Sequence, residues 1–251
     1  MVLAGLAIGG AVSHRLVAPA GRELRDHRAG LEPESLERAL GQGLSVGVLG
    51  GFRGLIADFL WLRANGCWER RDPVGTMGTL RLVTAVDPRP LIFWLNGARM
   101  MAYDMPAWRV AAGGGYGAVP AGLVRRIDEE QARRALRWLD EARRHHPASP
   151  ELFIEQANIS LNRLHDPEAA AAGYRRAAEL PGAPYYAARL HAILLCRLGR
   201  KAEALDWLVR LHPRLPADDE AAAADVVLGR IRDLEAELDV PVERRYRTDG
   251  S

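Results

Sequence analysis

The sequence has few of the residues that would assign it to a metalloprotein or a nucleic-acid-binding protein. Its two cysteines, Cys67 and Cys196, are far apart and have no histidine at zinc-ligand spacing. We therefore expect free, buried thiols rather than a metal site or a disulfide. Lys201 is the only lysine, and the many arginines are interspersed with Asp and Glu, so the net charge is +2. This balance argues against nucleic acid as a partner.

Catalytic and cofactor motifs are also missing from the sequence. The Gly-rich stretch AAGGGYGAVPAG at 111–122 has no strand before it and no Lys-Ser/Thr after it, so it matches neither phosphate-binding loop. His145 and His146 are adjacent and therefore point to different sides of a helix, which indicates a solvated helix end. No nucleophile pattern or carboxylate pair is present. We expect no catalytic residue, no cofactor, no metal and no small-molecule substrate.

No apolar run is long enough to be a clear membrane span, which needs about 20 residues. The uncharged run at 2–12 is shorter, and we interpret 1–20 as an apolar N-terminal segment, an anchor remnant or signal-like. The alternative is a poorly packed N-terminal helix. A second apolar run at 50–73 is interrupted by Arg53, Asp58 and Arg63, so it is predicted to be a buried helix whose charges pair with other helices.

What is present is helical periodicity from 50 to about 238, with no convincing alternation typical of strands. Residues 21–49 are predicted to be a linker with a short helix after Pro33, 50–240 a single helical domain, and 241–251 a polar, frayed tail. The fold class expected from this pattern is all-α.

Three helical segments share one arrangement of small and large residues. A small residue is followed by a large one four positions later and by a third packing position three further on. The sets are Ala135, Leu139 and Ala142; Ala170, Tyr174 and Ala177; and Ala204, Leu208 and Leu211. The spacing between sets is 35 and then 34 residues. Small residues let helices approach closely, and Pro147 and Pro216 stop the helices that precede them.

This period and pattern resemble the tetratricopeptide repeat (TPR) family, whose unit is a helix–turn–helix. Three stretches are together also similar to bacterial, membrane-associated TPR-like proteins of unknown role: GGFRGLIADFLWLRAN at 50–65, LVTAVDPRP at 82–90 and FWLNGARMMAYD at 93–104. The resemblance implies an α-solenoid of helix pairs with a C-terminal capping helix. The pairs are expected at about 55–88, 91–147, 150–182 and 184–216, with the cap at about 218–238. An insertion at about 106–128 would place the second helix of the second pair at 130–146.

The resemblance also implies a concave groove lined by the first helix of each pair. Carried over position by position, its lining residues are Trp61, Asn65, Asn96, Arg99, Tyr103, Asn162, Tyr186, Arg189 and Arg197. Asn65 and Asn96 occupy the two Asn positions of the family's carboxylate clamp, but its basic positions hold Trp61, Leu152 and Gln156, so the clamp is incomplete. Forked arginine donors favour an acidic or C-terminal peptide segment. The open alternative is that these arginines are solvated or pair with neighbouring carboxylates such as Glu155.

The function expected from the sequence is a non-enzymatic scaffold or adaptor that binds a protein or peptide in this groove. It is predicted to be membrane-associated through its N-terminus, on a side of the membrane that the sequence does not specify. Two alternatives stay open: a permanent structural subunit of a membrane-associated complex, and an enzyme with a site in the insertion. An extensive exposed apolar patch would favour the permanent subunit.

Overall fold

The computed structural model describes residues 51–216 and 218–248. All regular structure in these residues is helical, and no strand occurs among them, which confirms the all-α prediction for this part of the chain. The chain divides into two compact units, Met1–Phe93 and Trp94–Ser251. The predicted apolar segment 1–20, the linker 21–49 and the last three residues of the tail lie outside the described residues.

The α-helices follow one another with short connections, and they are labelled in chain order. They are α1 (Arg53–Glu69), α2 (Pro73–Val86), α3 (Leu91–Arg99), α4 (Met105–Ala112), α5 (Ala121–Ala142), α6 (Pro150–Arg163), α7 (Pro167–Ala178), α8 (Tyr185–Arg197), α9 (Lys201–Leu211) and α10 (Ala224–Glu237). A π-helical turn, Met100–Asp104, joins α3 to α4, and 3-10 turns occur at His212–Arg214, Glu220–Ala222 and Val242–Arg244. None of these helices is both long and apolar enough to cross a lipid bilayer.

In the first unit, a tight turn folds α2 back onto α1. Asp72 caps α2 by accepting a 2.9 Å hydrogen bond from the Gly75 amide, and Pro73 occupies the first helical position, where its missing N–H costs nothing. The packed side of α1 presents Ala57 and Leu60 to Val83 of α2. Cys67 and Cys196 are both free thiols, as the sequence predicts. Cys67 is buried as expected, whereas Cys196 is only half-buried.

The prediction that this stretch is a buried helix is wrong for one side of α1. Leu55, Phe59 and Leu62 are 69%, 65% and 68% exposed, and Phe52 just before the helix is 62% exposed. These side chains lie on the side of α1 that α2 does not cover. The apolar spacing of the run therefore arises from two stripes on opposite sides of one helix, and only one of them is packed within the described residues.

The charges within α1 also differ from the prediction. Arg53, Asp58 and Arg63 make no ion pair with any residue in 51–216 or 218–248, although Arg53 is close enough to Asp87 to help lower the pKa of that carboxyl. The largest cause of the lowered pKa is the side-chain hydrogen bond from Arg89. The expected structural ion pair of Asp58 is absent from this part of the molecule.

In the second unit, the small residues of the repeated pattern are buried. Ala135, Ala142, Ala170 and Ala177 are all fully buried. At the crossing of α6 and α7, a Cβ added to Gly173 would lie 3.0 Å from the Ala157 Cβ, so the two backbones approach closely there. Ala170 and Ala177 belong to one buried cluster with Ala157 of α6 and Ala187 of α8, so these two small residues pack against neighbouring helices.

The second helix pair departs from its predicted boundaries. α4 and α5 together occupy most of the expected insertion 106–128, and only 113–120 lies between them. α5 begins at Ala121 rather than near 130 and ends at Ala142. An ion pair of 2.8 Å between Arg109 and Glu130 joins the two helices. The Gly-rich stretch is therefore a short connection between two helices, not a long loop.

The tail after α10 is also more structured than predicted. The carboxylate of Glu235, which is buried, accepts a hydrogen bond from the Tyr246 amide. The Tyr246 hydroxyl lies 3.0 Å from Nδ1 of His212. These contacts hold the tail against α10 and the end of α9, so a polar composition did not indicate fraying here.

Candidate functional site: a polar face and its pocket

The candidate site is built on the π-helical turn, α5 and α6, where two networks of charged and aromatic side chains meet solvent. Arg163, the last residue of α6, is at the centre. Its Nε donates a 2.8 Å hydrogen bond to the carbonyl oxygen of Ala102. That carbonyl lies four residues before Pro106, which has no N–H to offer it in an α-helix. The guanidinium of Arg163 thus completes the hydrogen bonding of the π-helical turn.

The same guanidinium contacts two further groups. Its Nη2 lies 3.1 Å from a carboxylate oxygen of Asp128 on α5, and its carbon lies 5.1 Å above the centre of the Tyr103 ring. Burial raises the pKa of the Tyr103 hydroxyl, against a hydrogen bond from Asn162 that lowers it. Tyr103 and Asn162, both predicted to line the groove, therefore meet at one point around Arg163.

The second network lies around Glu155, about two turns N-terminal to Arg163 on α6. Nη2 and Nε of Arg99 approach the same carboxylate oxygen of Glu155 at 2.8 Å and 2.9 Å. The Glu155 side chain is 4% exposed, while that of Arg99 is 53% exposed. This is the pairing that the sequence left open as an alternative for the predicted groove arginines. Arg99 keeps its outer edge in solvent while it neutralises a buried carboxylate.

A surface pocket of about 230 Å³ lies beside Arg163. Its lining residues are Tyr116, Ala121, Val124, Arg125, Asp128, Arg163 and His165. Asp128 is paired with Arg163, whereas Arg125 and His165 have no hydrogen-bond or ion-pair partner among residues 51–216 and 218–248. The lining thus holds two guanidinium groups against one carboxylate. Such a lining suits an anionic group, with Tyr116 and Val124 offering apolar contact beside it.

The remaining predicted groove residues are placed differently. Asn96 is half-buried in α3, and Tyr186 is 44% exposed at the start of α8. Arg189 donates hydrogen bonds of 3.1 Å and 2.9 Å to the carbonyl oxygens of Ala221 and Ala222. Its guanidinium therefore binds the connection that leads to α10. Arg197 is exposed at the end of α8 and has no ion pair among the described residues.

Trp61 and Asn65, the groove residues predicted on α1, belong to the first unit. The Trp61 ring packs against Phe93, with 5.2 Å between ring centres, and Asn65 is half-buried. The structure thus brings Tyr103 and Asn162 together. Arg99 lies one turn before Tyr103 on the same helical stretch.

The pocket residues Tyr116, Arg125 and His165 were not singled out from the sequence. Arg125 and Asp128 are three residues apart and therefore share one side of α5. That spacing would have been informative if 121–129 had been assigned to the helix rather than to the insertion. His165 follows α6 with a φ of 53°, a backbone conformation that no periodic pattern indicates.

The histidines do not form a recognisable catalytic or metal-binding arrangement in the part of the chain that the structure describes. His145 stacks on Trp94, with 5.7 Å between ring centres. His191 is buried, with Nδ1 2.9 Å from the Ala171 carbonyl oxygen and its ring 4.7 Å from that of Trp207. Within 51–216 and 218–248, no group of three or more His, Cys, Asp or Glu is placed to hold a metal ion.

Comparison with known proteins adds no family to these observations. A scan against protein-family models gives no match, and a search of curated proteins gives none either. The geometry of the polar face and its pocket is therefore the basis for any functional conclusion.

Proposed function

We propose that the protein is a non-enzymatic scaffold or adaptor of the TPR-like solenoid type, which binds an acidic protein segment on the polar face of its second unit. The observation that carries the proposal is the pocket beside Arg163, where Arg125 has no partner among the described residues. A membrane-associated location and a bacterial origin belong to the same proposal. The location rests on the apolar run at 2–12 and on the sequence resemblance, and the origin rests on the resemblance alone.

The solenoid part of the proposal is supported by how the helices pack. From α6 to α10, each helix packs chiefly against its neighbours in the chain, while α5 packs on α6 and on the π-helical turn before α4. A closed bundle would bring non-consecutive helices together as well. Consecutive packing together with the 34–35-residue spacing of buried small residues is typical of stacked helical repeats.

The ligand class follows from the charges that remain available. Arg163 and Arg99 already neutralise Asp128 and Glu155, so a ligand carboxylate would have to compete with those partners for either one. Arg125 and His165 have no such competitor within 51–216 and 218–248. An acidic side chain or terminal carboxylate entering the pocket would therefore pair first with Arg125, while Tyr116 packs on the adjoining ligand atoms.

The proposal is tested with a fluorescent decapeptide of Glu and Ser that has a free C-terminus, against a Lys and Ser version. Fluorescence anisotropy should show binding of the acidic peptide only. Arg125→Ala should weaken it about tenfold or more, because a charge-assisted hydrogen bond is worth about 1.5–3 kcal/mol when it is lost. Arg210→Ala on α9, also exposed and without an ion pair among the described residues, is the matched control.

An acidic peptide that also has an amidated C-terminus separates the two sources of carboxylate. If the amide binds as well as the free acid, side-chain carboxylates are recognised. Equal affinities of wild type, Arg125→Ala and Arg210→Ala would place the binding surface elsewhere and contradict this assignment.

One observation favours the alternative of a permanent structural subunit. The exposed apolar stripe of α1 is the kind of surface that obligate partners cover. A permanent partner would co-purify with the protein in fixed ratio through high salt, whereas an acidic peptide bound by arginines would be released.

A further inference from the structure

The outer side of α5 carries a straight line of arginines, which we call the arginine stripe. Arg126, Arg133 and Arg137 are seven and four residues apart, which places them within about 40° on a helical projection and along about 17 Å of the helix axis. Arg144, two residues after the end of α5, follows them, and all four are exposed. The buried residues of α5 lie on the opposite side of the helix, among them Ala135, Leu139 and Ala142. The stripe therefore points directly away from the core.

The carboxylates beside the stripe are mostly neutralised already. Glu129 pairs with Arg133 at 3.4 Å and Glu130 with Arg134 at 2.7 Å, each across one turn of α5. Asp140 pairs with the arginine three residues after it. Because the charges of these pairs cancel, they contribute little net charge to the outer side of the helix.

The charge that remains on this side is positive. Arg126, Arg137 and Arg144 make no ion pair within 51–216 or 218–248, and Glu141 is the one carboxylate beside them that also has none there. Three cations against one anion leave the stripe with a positive net charge. Guanidinium groups in this state can donate paired hydrogen bonds to the phosphate and carboxylate oxygens of a partner.

The stripe offers a partner little apolar contact. Of the large apolar side chains that are exposed in the described residues, none lies between Leu123 and Tyr186 in the chain. A stable protein–protein interface is built around apolar or aromatic residues at its centre. The arginine stripe is suited instead to a partner that presents many negative charges over a wide area.

Shape separates two partners of that kind. The groove of a nucleic-acid duplex surrounds a bound helix, so it would bring phosphates against Glu130 and Glu141, which lie about 40° and 60° from the centre of the stripe. A bilayer is flat and touches only the line of the stripe itself. Leu123, one turn before Arg126 and 39% exposed, would reach the boundary between the headgroups and the acyl chains.

We infer that α5 lies flat on an anionic phospholipid surface, with the arginine stripe bound to lipid headgroups. This contact is separate from the peptide pocket, because Arg125 lies about 100° round the helix from Arg126. The inference rests on the proposed membrane association, since a few arginines alone attach a protein only weakly. The stripe thus orients a protein that is held at the membrane by another attachment.

Arginine footprinting of the full-length protein tests the contact. The reagent is phenylglyoxal, and mass spectrometry gives the reaction rate of each arginine on vesicles of phosphatidylserine and phosphatidylcholine or of phosphatidylcholine alone. Arg126, Arg137 and Arg144 should react at least about fivefold more slowly on the anionic vesicles only, since each arginine near an anionic surface contributes about that factor. Arg210 and Arg214, exposed and without an ion pair among the described residues, should not change.

Charge changes test whether the stripe acts as a unit. Arg126→Gln with Arg137→Gln should remove the protection of Arg144, whereas Arg126→Lys with Arg137→Lys should keep it because the positive charge stays. Arg210→Gln with Arg214→Gln makes the same change in net charge outside α5. This control should leave Arg144 protected.

Three results would overturn the inference. One is binding to both kinds of vesicle with no slower reaction of the stripe, which would leave the proposed membrane association intact. Another is protection of the stripe by duplex DNA at the same salt concentration but not by anionic vesicles. The third is absence of binding to either kind of vesicle, which would contradict the membrane association together with the inference.

Discussion

At the scale of single residues, most polar side chains inside this molecule have local hydrogen-bond partners. Thr76 and Thr79 of α2 donate to the carbonyl oxygens of Asp72 and Gly75, four residues before each. Gly75 itself is required by the cap, since an added Cβ would collide with the Asp72 carboxylate and lie 3.1 Å from the Cys67 sulfur. Such residues stabilise the turn between α1 and α2 without contributing to a binding surface.

His191 is the residue whose ionisation should be felt in stability. Its ring is buried between α7 and α9, and burial lowers its pKa, against the hydrogen bond to the Ala171 carbonyl oxygen, which raises it. Arg175 and Arg200 lower the pKa further, and Glu179 opposes them. The folded protein thus holds His191 neutral at pH values where the unfolded chain protonates it.

The contribution of the neutral His191 ring to the free energy of unfolding should therefore be fully present above the usual histidine pKa of 6.5. The free energy of unfolding should fall as the pH drops below that value. His191→Asn keeps an N–H donor for Ala171 but cannot titrate, so its stability should depend less on pH between 7 and 5. Urea denaturation at several pH values measures this. His165→Asn, at an exposed position, is the control, and identical pH profiles for wild type and His191→Asn would contradict the prediction.

At the scale of secondary-structure elements, the helices were predictable from periodicity, while their lengths were less so. Asp166 accepts a 2.9 Å hydrogen bond from the Ala169 amide and precedes Pro167. These two residues are a local signal for the start of a helix, and α7 begins there. The start of α5 was missed because the glycines of 113–117 suggested a longer interruption. The 34–35-residue spacing of small residues was the most informative feature of the sequence, since small residues allow packed helices to approach closely.

That register gives a prediction about the α7 crossing. Ala177→Leu adds three carbon atoms at a fully buried position, and the overpacking should cost about 1–3 kcal/mol in the free energy of unfolding. Ala172→Leu introduces the same side chain on the exposed side of the same helix and should be nearly neutral. Denaturant midpoints of the two variants measure the difference. Equal midpoints would show that Ala177 does not sit at a tight crossing.

At the scale of the whole molecule, packing in the second unit occurs mainly between helices that are consecutive in the chain. Since each helix from α6 to α10 packs chiefly on its chain neighbours, most of the stabilising contacts there are close in sequence. A chain built this way tolerates changes in one connection without rearranging distant helices. The proposed binding face includes one such connection, because Tyr116 between α4 and α5 lines its pocket.

The proposed membrane association belongs to this scale too. The apolar run at 2–12 predicts that the full-length chain sediments with membranes and that a chain starting at Gly21 does not. Fractionation of cells that express each chain measures this. The full-length double variant Leu55→Ser, Phe59→Ser serves as a control for attachment through α1 and should behave like wild type. Equal solubility of the full-length and truncated chains would contradict an N-terminal anchor.

The sequence by itself determined what depends on neighbours within about four residues. The all-helical class, the caps at Asp72 and Asp166 and the spacing of small residues all follow from local hydrogen bonding and side-chain size.

Only the tertiary structure decided which apolar side of α1 is covered, which carboxylate Arg99 meets and which cations are left for a ligand. Glu155 is distant in sequence from Arg99, and Arg163 is distant from the Ala102 carbonyl that it satisfies. Such pairs depend on the rotation and distance of packed helices. A periodic pattern specifies which side of a helix is apolar, but it carries no information about which partner lies against that side.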